Sequence, residues 1–186
     1  LEREGTVCDL DMYVFEAVCK DIRRWLDCGM NPVRVSVNFS KLHFKDDRFA
    51  DHILDIIHRH GVPANYIEIE LTEASGFESF DNFVEFSKIM RDNGIEVSID
   101  DFGTGYSSLN VLKKLDVDII KLDKSFIDTI RNEDVQDEIF TRNIVNMINE
   151  IGMRVVAEGV ETDTQVKFLK MIGCAAVQGY YYDRPM

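Results

Sequence analysis

Short runs of β-branched and other apolar residues alternate along the chain with longer segments in which apolar residues recur every three to four positions. One such segment carries Phe15, Cys19 and Ile22, and another carries Phe83 and Phe86. The short runs predict strands, and the longer segments predict helices with one apolar face. We predict six strands, at residues 33–40, 67–72, 96–101, 119–123, 154–158 and 176–181. Their alternation with helices indicates βα units and a parallel sheet.

The predicted helices have recognisable ends. Gly94, Gly152 and Gly173 each follow an apolar periodic segment, where glycine accepts the left-handed conformation that commonly ends a helix. Thr162 and Gln165 have the spacing of a capping box, which predicts the start of the last helix. These helix boundaries agree with the positions of the predicted strands.

The fold class that fits this order is α/β, as a TIM-like (β/α) barrel. Such a barrel has eight strands, and a sheet without its first units could not close in the usual way. We therefore expect the first one or two βα units to be missing from the sequence, or their place to be covered by another chain or a rearranged helix. The chain shows no repeat or linker, so residues 1–186 are expected to form one N-terminally incomplete domain with no second domain.

Polar residues lie at or near the carboxyl ends of the predicted strands. They are Asn38, Glu70, Asp100, Asp101, Lys121, Glu158 and Gln178. In parallel β/α folds the ligand lies at this edge of the sheet. Buried carboxylates without partners are costly, and several of them with an amide oxygen suit Mg²⁺ or Mn²⁺ better than zinc or copper. Each residue alone could have an ordinary surface or capping role, but the set predicts a divalent-metal site.

The loop at residues 100–109, DDFGTGYSSL, begins with two adjacent acids. Successive side chains of a strand point to opposite faces, so Asp100 and Asp101 can share a site only if the backbone turns sharply. The glycines permit such a turn. Ser107 or Ser108 can cap the following helix, but that role leaves the pair of acids unexplained.

The charge of the chain limits its partners. Its formal net charge is −13 and its pI is near 4.7, so a polyanion would be repelled and we expect no DNA or RNA binding. A phosphate substrate would need bound metal. The four cysteines form no zinc or disulfide pattern, and no apolar run is long enough to span a membrane. We expect a cytoplasmic location, although the parent protein could be anchored to a membrane.

The chain resembles the EAL family of cyclic-di-GMP phosphodiesterases along essentially its whole length. The motifs that carry the resemblance occur in the family's order: VSVNFS, ELTE, DDFGTGYSSL, KLD, AEGVE and QGYYYDRPM. The resemblance implies hydrolysis of one phosphodiester bond of cyclic-di-GMP, giving linear pGpG, with two Mg²⁺ or Mn²⁺ ions in a β/α barrel. It also implies a homodimer, with sensory or GGDEF-type domains upstream in the parent protein.

The resemblance assigns roles to the residues at the strand ends. Asn38, Glu70 and Asp100 resemble metal ligands, with Asp100 placed to bridge two ions and Asp101 serving the second. Glu158 resembles the family's metal ligand or general base. In the same comparison, Lys121 corresponds to the residue that orients the attacking water and offsets charge on phosphorus. The residues expected to line the substrate site or support the ligands are Glu73, Glu161, Gln178, Phe102 and Gly103.

One departure from the family keeps other functions open. The Glu-Ala-Leu motif that names the family, with its metal-binding Glu and a nearby Arg, is not in this sequence. We expect the chain to begin after that motif; if it is the whole protein, turnover should be much reduced. The alternative is a catalytically impaired domain that binds cyclic-di-GMP as a receptor. An enolase-like or glycosidase barrel is a third class, which the DDFGTG loop disfavours.

Two further clusters are open to more than one interpretation. His43, His52, His58 and His60 could suggest zinc, but their spacing fits no closed site and we favour ordinary roles. The three tyrosines at residues 180–182 could stack on guanine. Strand packing is an equally good explanation for two of them, because alternate side chains of a strand must point away from the site.

Overall fold

The computed structural model describes residues 4–72, 80–103, 112, 116–132 and 135–184. The α-helices are α1 Glu4–Asp27, α2 Phe49–His60, α3 Phe80–Asp92, α4 Lys124–Asp128, α5 Val135–Glu150 and α6 Asp163–Met171. The strands are β1 Val35–Phe39, β2 Ile67–Thr72, β3 Glu96–Phe102, β4 Ile119–Leu122, β5 Arg154–Ala157 and β6 Ala176–Val177. Short 3₁₀ helices occupy Lys41–Lys45, Ala64–Tyr66 and Thr129–Asn132.

The six strands form one sheet in the order β1 to β6, with consecutive strands adjacent. The pairs β1–β2, β4–β5 and β5–β6 are parallel. In the described residues, helices fall between β1 and β2, β2 and β3, β4 and β5, and β5 and β6, and the predicted α/β class is confirmed. The chain divides into two compact units, Leu1–Ser98 and Ile99–Met186, and the division falls within β3.

An aromatic cluster forms much of the core of the first unit. Phe39 at the end of β1 meets Phe15 of α1 edge to face, with ring centroids 5.4 Å apart. Phe49 at the start of α2 stacks on Phe86 of α3 at 4.7 Å, with the rings 8° from parallel. Such pairs add about 0.5–1.5 kcal/mol each beyond the burial of their area. The aromatic residues thus fix α1, α2 and α3 around the first strands.

The described core of the second unit is mostly aliphatic. Ile120 on β4 and Val155 on β5 are fully buried, as is Val145 on α5. The predicted capping box at the start of α6 is confirmed: Gln165 N donates to Thr162 Oγ1 (3.3 Å), and Thr162 N donates to Gln165 Oε1 (3.0 Å). The capping box thus fixes the start of α6, which follows the loop after β5.

The last strand is shorter than its sequence predicts. β6 ends at Val177, and the backbone turns at residues 178–182, where Tyr182 N donates to Gly179 O (3.2 Å). Gly179 permits this turn to press against the loop after β5, because a Cβ there would lie 2.2 Å from Val160 O. Placing residues 178–181 in a strand was therefore wrong, and so was the alternation of side chains expected for the tyrosines.

Within the described residues, none of the helices combines the length and the apolar composition that crossing a membrane would require.

Candidate active site

The first unit places two predicted ligands side by side. Asn38 on β1 and Glu70 on β2 are partners in the parallel register, each one or two residues before the carboxyl end of its strand. Glu70 is 4 % exposed, whereas Asn38 is exposed. Both faces of β2 are covered, so the polar side chains that alternate along IEIELT are buried, Glu70 among them. A buried carboxylate next to an amide is a suitable pair of oxygen ligands.

The second unit brings three more predicted residues together. Asp100 on β3 and Glu158, which directly follows β5, each offer a carboxylate oxygen within 4.8 Å of the other. Lys121 on β4 places Nζ 3.6 Å from Glu158 Oε1 and is 6 % exposed. Glu158 N donates to Leu122 O (3.0 Å), so the hydrogen bonding of β4 and β5 extends as far as the carboxylate. The strands thus hold two acids and one ammonium group at one edge of the sheet.

One carboxylate oxygen of this group has no hydrogen-bond donor in the described part of the chain. Asp100 Oδ1 is buried, and no described residue donates a hydrogen bond to it. Leaving a carboxylate oxygen buried without a partner is costly, and a bound cation removes that cost. Asp128 Oδ1 is also buried with no donor among the described residues, but Asp100 differs in having the Glu158 carboxylate close by. The residues present therefore fit a hard divalent cation that prefers oxygen ligands.

The backbone separates the two adjacent acids. Asp101 adopts φ +53°, a left-handed conformation that Asp tolerates better than most residues, and its side chain is exposed. Sequence reasoning assigned this turn to the glycines, but Asp101 takes part in it. Gly103, at φ +100°, lies so close to Phe126 that a Cβ would come within 2.2 Å of the ring. Phe102 between them is buried.

Other residues predicted to support the site have defined positions. Glu161 Oε1 accepts a hydrogen bond from Lys124 Nζ at 2.7 Å. The backbone of Gln178 donates to Ala157 O (2.8 Å) and accepts from Val160 N (3.0 Å), which ties the loop after β5 to the turn after β6. Glu73 lies outside the described residues, as do Ser107 and Ser108.

Asp123 caps the helix that follows the Lys121 strand. Its Oδ1 accepts from Ser125 N at 2.9 Å. Burial acts to raise the pKa of Asp123, but hydrogen bonds from Ser125 and from the Lys124 backbone hold it below its ordinary value. Because the carboxylate stays charged, it fixes the start of α4.

Sequence reasoning missed a buried polar pair. Glu68 on β2 is 7 % exposed, and Ser98 on β3, fully buried, donates from Oγ to Glu68 Oε1 at 2.7 Å. The alternating pattern of the two strands contains both residues. The pattern does not reveal that their polar face is enclosed.

Two of the four histidines, His43 and His60, have partners typical of ordinary packing. His43 Nε2 lies 3.1 Å from Asp11 Oδ2, and the His43 ring stacks on Phe49 with centroids 4.4 Å apart. His60 Nε2 lies 3.1 Å from Glu16 Oε1. These contacts join α1 to the segments around α2, which supports the interpretation favoured over zinc.

A comparison with models of known protein families assigns the chain to one of them. The model of the EAL domain matches residues 1–185. The chain belongs to the EAL domain family. The six-stranded α/β architecture agrees with this membership, because solved EAL domains superpose on nearly the whole chain.

Two curated relatives of this EAL domain come from Pseudomonas aeruginosa. MucR, a bifunctional diguanylate cyclase/cyclic di-GMP phosphodiesterase, is 34 % identical over 185 residues, which cover 100 % of this chain and 27 % of MucR. The cyclic di-GMP phosphodiesterase NbdA is 36 % identical over 185 residues, covering 100 % of this chain and 24 % of NbdA. The chain thus spans about a quarter of the length of these relatives.

Two solved structures show the same fold with ligands bound. The phosphodiesterase of MucR in complex with c-di-GMP has a TM-score of 0.86 and 34 % identity, covering 98 % of this chain and 73 % of that one. BlrP1 of Klebsiella pneumoniae, in complex with manganese and cyclic di-GMP, has a TM-score of 0.83 and 26 % identity, covering 100 % and 46 %.

Proposed function

We propose that this EAL domain hydrolyses cyclic-di-GMP to linear pGpG with divalent metal ions, Mg²⁺ or Mn²⁺. The observation that carries the proposal is the buried Asp100 Oδ1, which accepts from no described residue and lies near the Glu158 carboxylate, itself 3.6 Å from the Lys121 ammonium group. The names of the relatives support the substrate, and a manganese complex of BlrP1 supports the metal.

The proposed ligands are the oxygen donors near the strand ends. Asp100 and Glu158 are close enough to share an ion. The family resemblance adds Asn38, Glu70 and Asp101 as the further proposed metal ligands. Two such ions, when bound, lower the pKa of a water molecule and stabilise both the attacking and the leaving oxygen of a phosphodiester.

Glu158 and Lys121 supply the remaining chemistry in this proposal. The Glu158 carboxylate accepts the proton of the attacking water, whose oxygen forms the new bond to phosphorus as the bond to the leaving ribose oxygen breaks. The Lys121 ammonium group, 3.6 Å from Glu158 Oε1, orients that water and offsets the negative charge that develops on the phosphoryl oxygens. Burial of Lys121 strengthens this effect, because less water screens its charge.

The roles proposed for Glu73, Glu161, Gln178, Phe102 and Gly103 rest on the resemblance together with their place in the chain. A homodimer, further sensory or GGDEF-type domains in the parent protein, and a cytoplasmic location stay predictions from the sequence.

The test is incubation of the chain with cyclic-di-GMP, with and without Mg²⁺ or Mn²⁺, followed by chromatography of the products. We expect pGpG only when metal is present, and its loss when a chelator is added. Binding of cyclic-di-GMP without any product would favour the receptor alternative. Failure to bind any cyclic dinucleotide would contradict both functions and would reopen the other barrel enzymes.

A further inference from the structure

The segment at residues 158–161, which begins with Glu158, is held between the turn after β6 and the start of α4. On one side, Val160 N donates to Gln178 O (3.0 Å), and Tyr181 N donates to Val160 O (3.0 Å). On the other side the aliphatic stem of Lys124 lies against Gly159, where a Cβ would come within 2.5 Å of Lys124 Cγ. Gly159 also has φ +68°, so glycine suits both the conformation and the contact.

The same lysine reaches the far end of the segment. Lys124 Nζ donates to Glu161 Oε1 at 2.7 Å. Glu161 is fixed in turn by α6, since Glu161 N donates to Gln165 Oε1 at 2.8 Å. Lys124 therefore covers Gly159 with its stem and bonds Glu161 with its ammonium group.

Lys124 is also connected to the strand that carries the site lysine. It is the first residue of α4, three residues after Lys121, and Asp123 caps that helix. A displacement of α4 relative to the 158–161 segment would thus change the 3.6 Å separation between Lys121 Nζ and Glu158 Oε1.

We propose that Lys124 is a positioning residue that sets the place of the Glu158 carboxylate relative to Lys121 and Asp100. The proposal rests on the function proposed above, because it assigns a consequence for catalysis to a contact outside the reacting groups. A misplacement of about 1 Å at a reacting group can cost about 100-fold in rate. A half-exposed lysine can therefore matter to the reaction although its ion pair contributes little to stability.

Three substitutions of Lys124 separate the contribution of its aliphatic stem from that of its charge. Lys124→Arg keeps both and is expected to hold kcat within about 3-fold of wild type. Lys124→Met keeps a stem over Gly159 but loses the bond to Glu161, and an intermediate loss is expected. Lys124→Ala removes both, so kcat should fall by up to about 100-fold while KM changes by less than about 3-fold.

A matched control is Lys20→Met on α1. Lys20 also pairs with a glutamate, Glu16, at 3.1 Å and is similarly exposed, but it lies on a helix of the first unit that carries none of the proposed ligands. Its kcat should equal that of wild type. Thermal melting of every variant shows whether a loss of rate reflects unfolding.

A second measurement does not depend on activity. Order parameters of the backbone amides of residues 158–161, from ¹⁵N relaxation, should fall in Lys124→Ala and stay near wild type in Lys124→Arg and Lys20→Met. Wild-type kcat together with unchanged order in Lys124→Ala would overturn the positioning role. If the wild-type chain makes no pGpG, the proposed function fails, and the order parameters alone then decide whether Lys124 holds the segment.

Discussion

Two inward-facing acids on neighbouring strands differ in their hydrogen-bond partners. Glu68 in the first unit is 7 % exposed and accepts a short hydrogen bond from the fully buried Ser98 hydroxyl. Asp100 in the second unit has a buried Oδ1 that no described residue satisfies. A buried acid with a matched donor stabilises a fold, whereas one without a donor binds a ligand or destabilises it. The comparison distinguishes a structural acid from one available for a cation.

Two other acids, Asp11 and Glu158, differ in the length of their contact with a basic side chain. Asp11 in the first unit accepts from Ser40 N at 2.9 Å and lies 3.1 Å from the His43 ring nitrogen. Lys121 Nζ and Glu158 Oε1 in the second unit are 3.6 Å apart, which is longer than a hydrogen bond. The separation is that of an ion pair rather than of a short hydrogen bond.

The largest expected effect is on turnover in Glu158→Gln. Gln has nearly the same shape, but it cannot accept a proton at neutral pH, so kcat should fall by about 1,000-fold. Binding of cyclic-di-GMP should be largely retained. Steady-state production of pGpG and binding by calorimetry measure the two effects.

The control for this change is Glu150→Gln, at the exposed end of α5. It removes the same charge from the net total of −13 without touching the strand ends, and its kcat should match wild type. Equal activity in Glu158→Gln and Glu150→Gln would remove Glu158 from the mechanism.

Asp100→Asn tests the comparison directly. It should weaken Mn²⁺ binding by about 100-fold or more, because even residues that only support metal ligands contribute 10- to 100-fold. In the metal-free protein it should leave the free energy of unfolding unchanged or raise it, since the substitution removes an unsatisfied buried charge. Titration calorimetry with Mn²⁺ and denaturant unfolding in chelator measure the two quantities.

Glu68→Gln makes the same carboxylate-to-amide change at the acid that already has a donor. Its Mn²⁺ affinity should stay within about 3-fold of wild type, because the Gln oxygen can still accept from Ser98. Parallel losses of Mn²⁺ affinity in the two variants would mean that the distinction between these acids is wrong.

The main elements of the fold could be predicted from the sequence because they depend on local patterns. The run IEIELT gives β2 with the predicted ends, and Thr162 with Gln165 gives the capping box of α6. The end of β6 could not be predicted, because it depends on the close approach of Gly179 to Val160, residues 19 apart in the chain. Such an approach leaves no periodic signal.

Part of the candidate site could also be predicted from the sequence. Asp100, Lys121 and Glu158 were recognisable as polar endings of apolar strands, and the structure brings them together. Period-two alternation shows that Glu68 and Ser98 share the polar face of their strands, but it cannot show whether that face meets solvent or is enclosed. Recognising their pairing requires the tertiary structure.

A smaller effect, on stability, is expected for Ser98→Ala. Removing the hydroxyl leaves the buried Glu68 oxygen without its donor, which should lower the free energy of unfolding by about 1–3 kcal/mol. Ser87→Ala on α3 is a matched control, because Ser87 is equally buried and donates only to the helical carbonyl of Phe83 (3.0 Å). Denaturant unfolding should show a smaller loss of unfolding free energy for Ser87→Ala than for Ser98→Ala. Equal losses would mean that the Ser98–Glu68 hydrogen bond stabilises the fold no more than the Ser87 bond does.

The smallest effect concerns the pH dependence of stability in the first unit. Burial lowers the pKa of His43, and the nearby His52 lowers it further, while Asp11 and Asp46 act to raise it. The folded protein therefore favours neutral His43, and the unfolded chain binds more protons as pH falls below about 6.5. This contribution to stability is present above that pH and is lost as pH falls through the lowered pKa of folded His43.

His43→Phe keeps a ring against Phe49 but has no group to titrate, so its unfolding free energy should fall less between pH 7 and pH 5 than that of wild type. His58→Phe, at an exposed position of α2, should follow the wild-type slope. Denaturant unfolding at each pH measures the difference. Identical slopes in wild type and His43→Phe would show that the burial of His43 adds nothing to acid sensitivity.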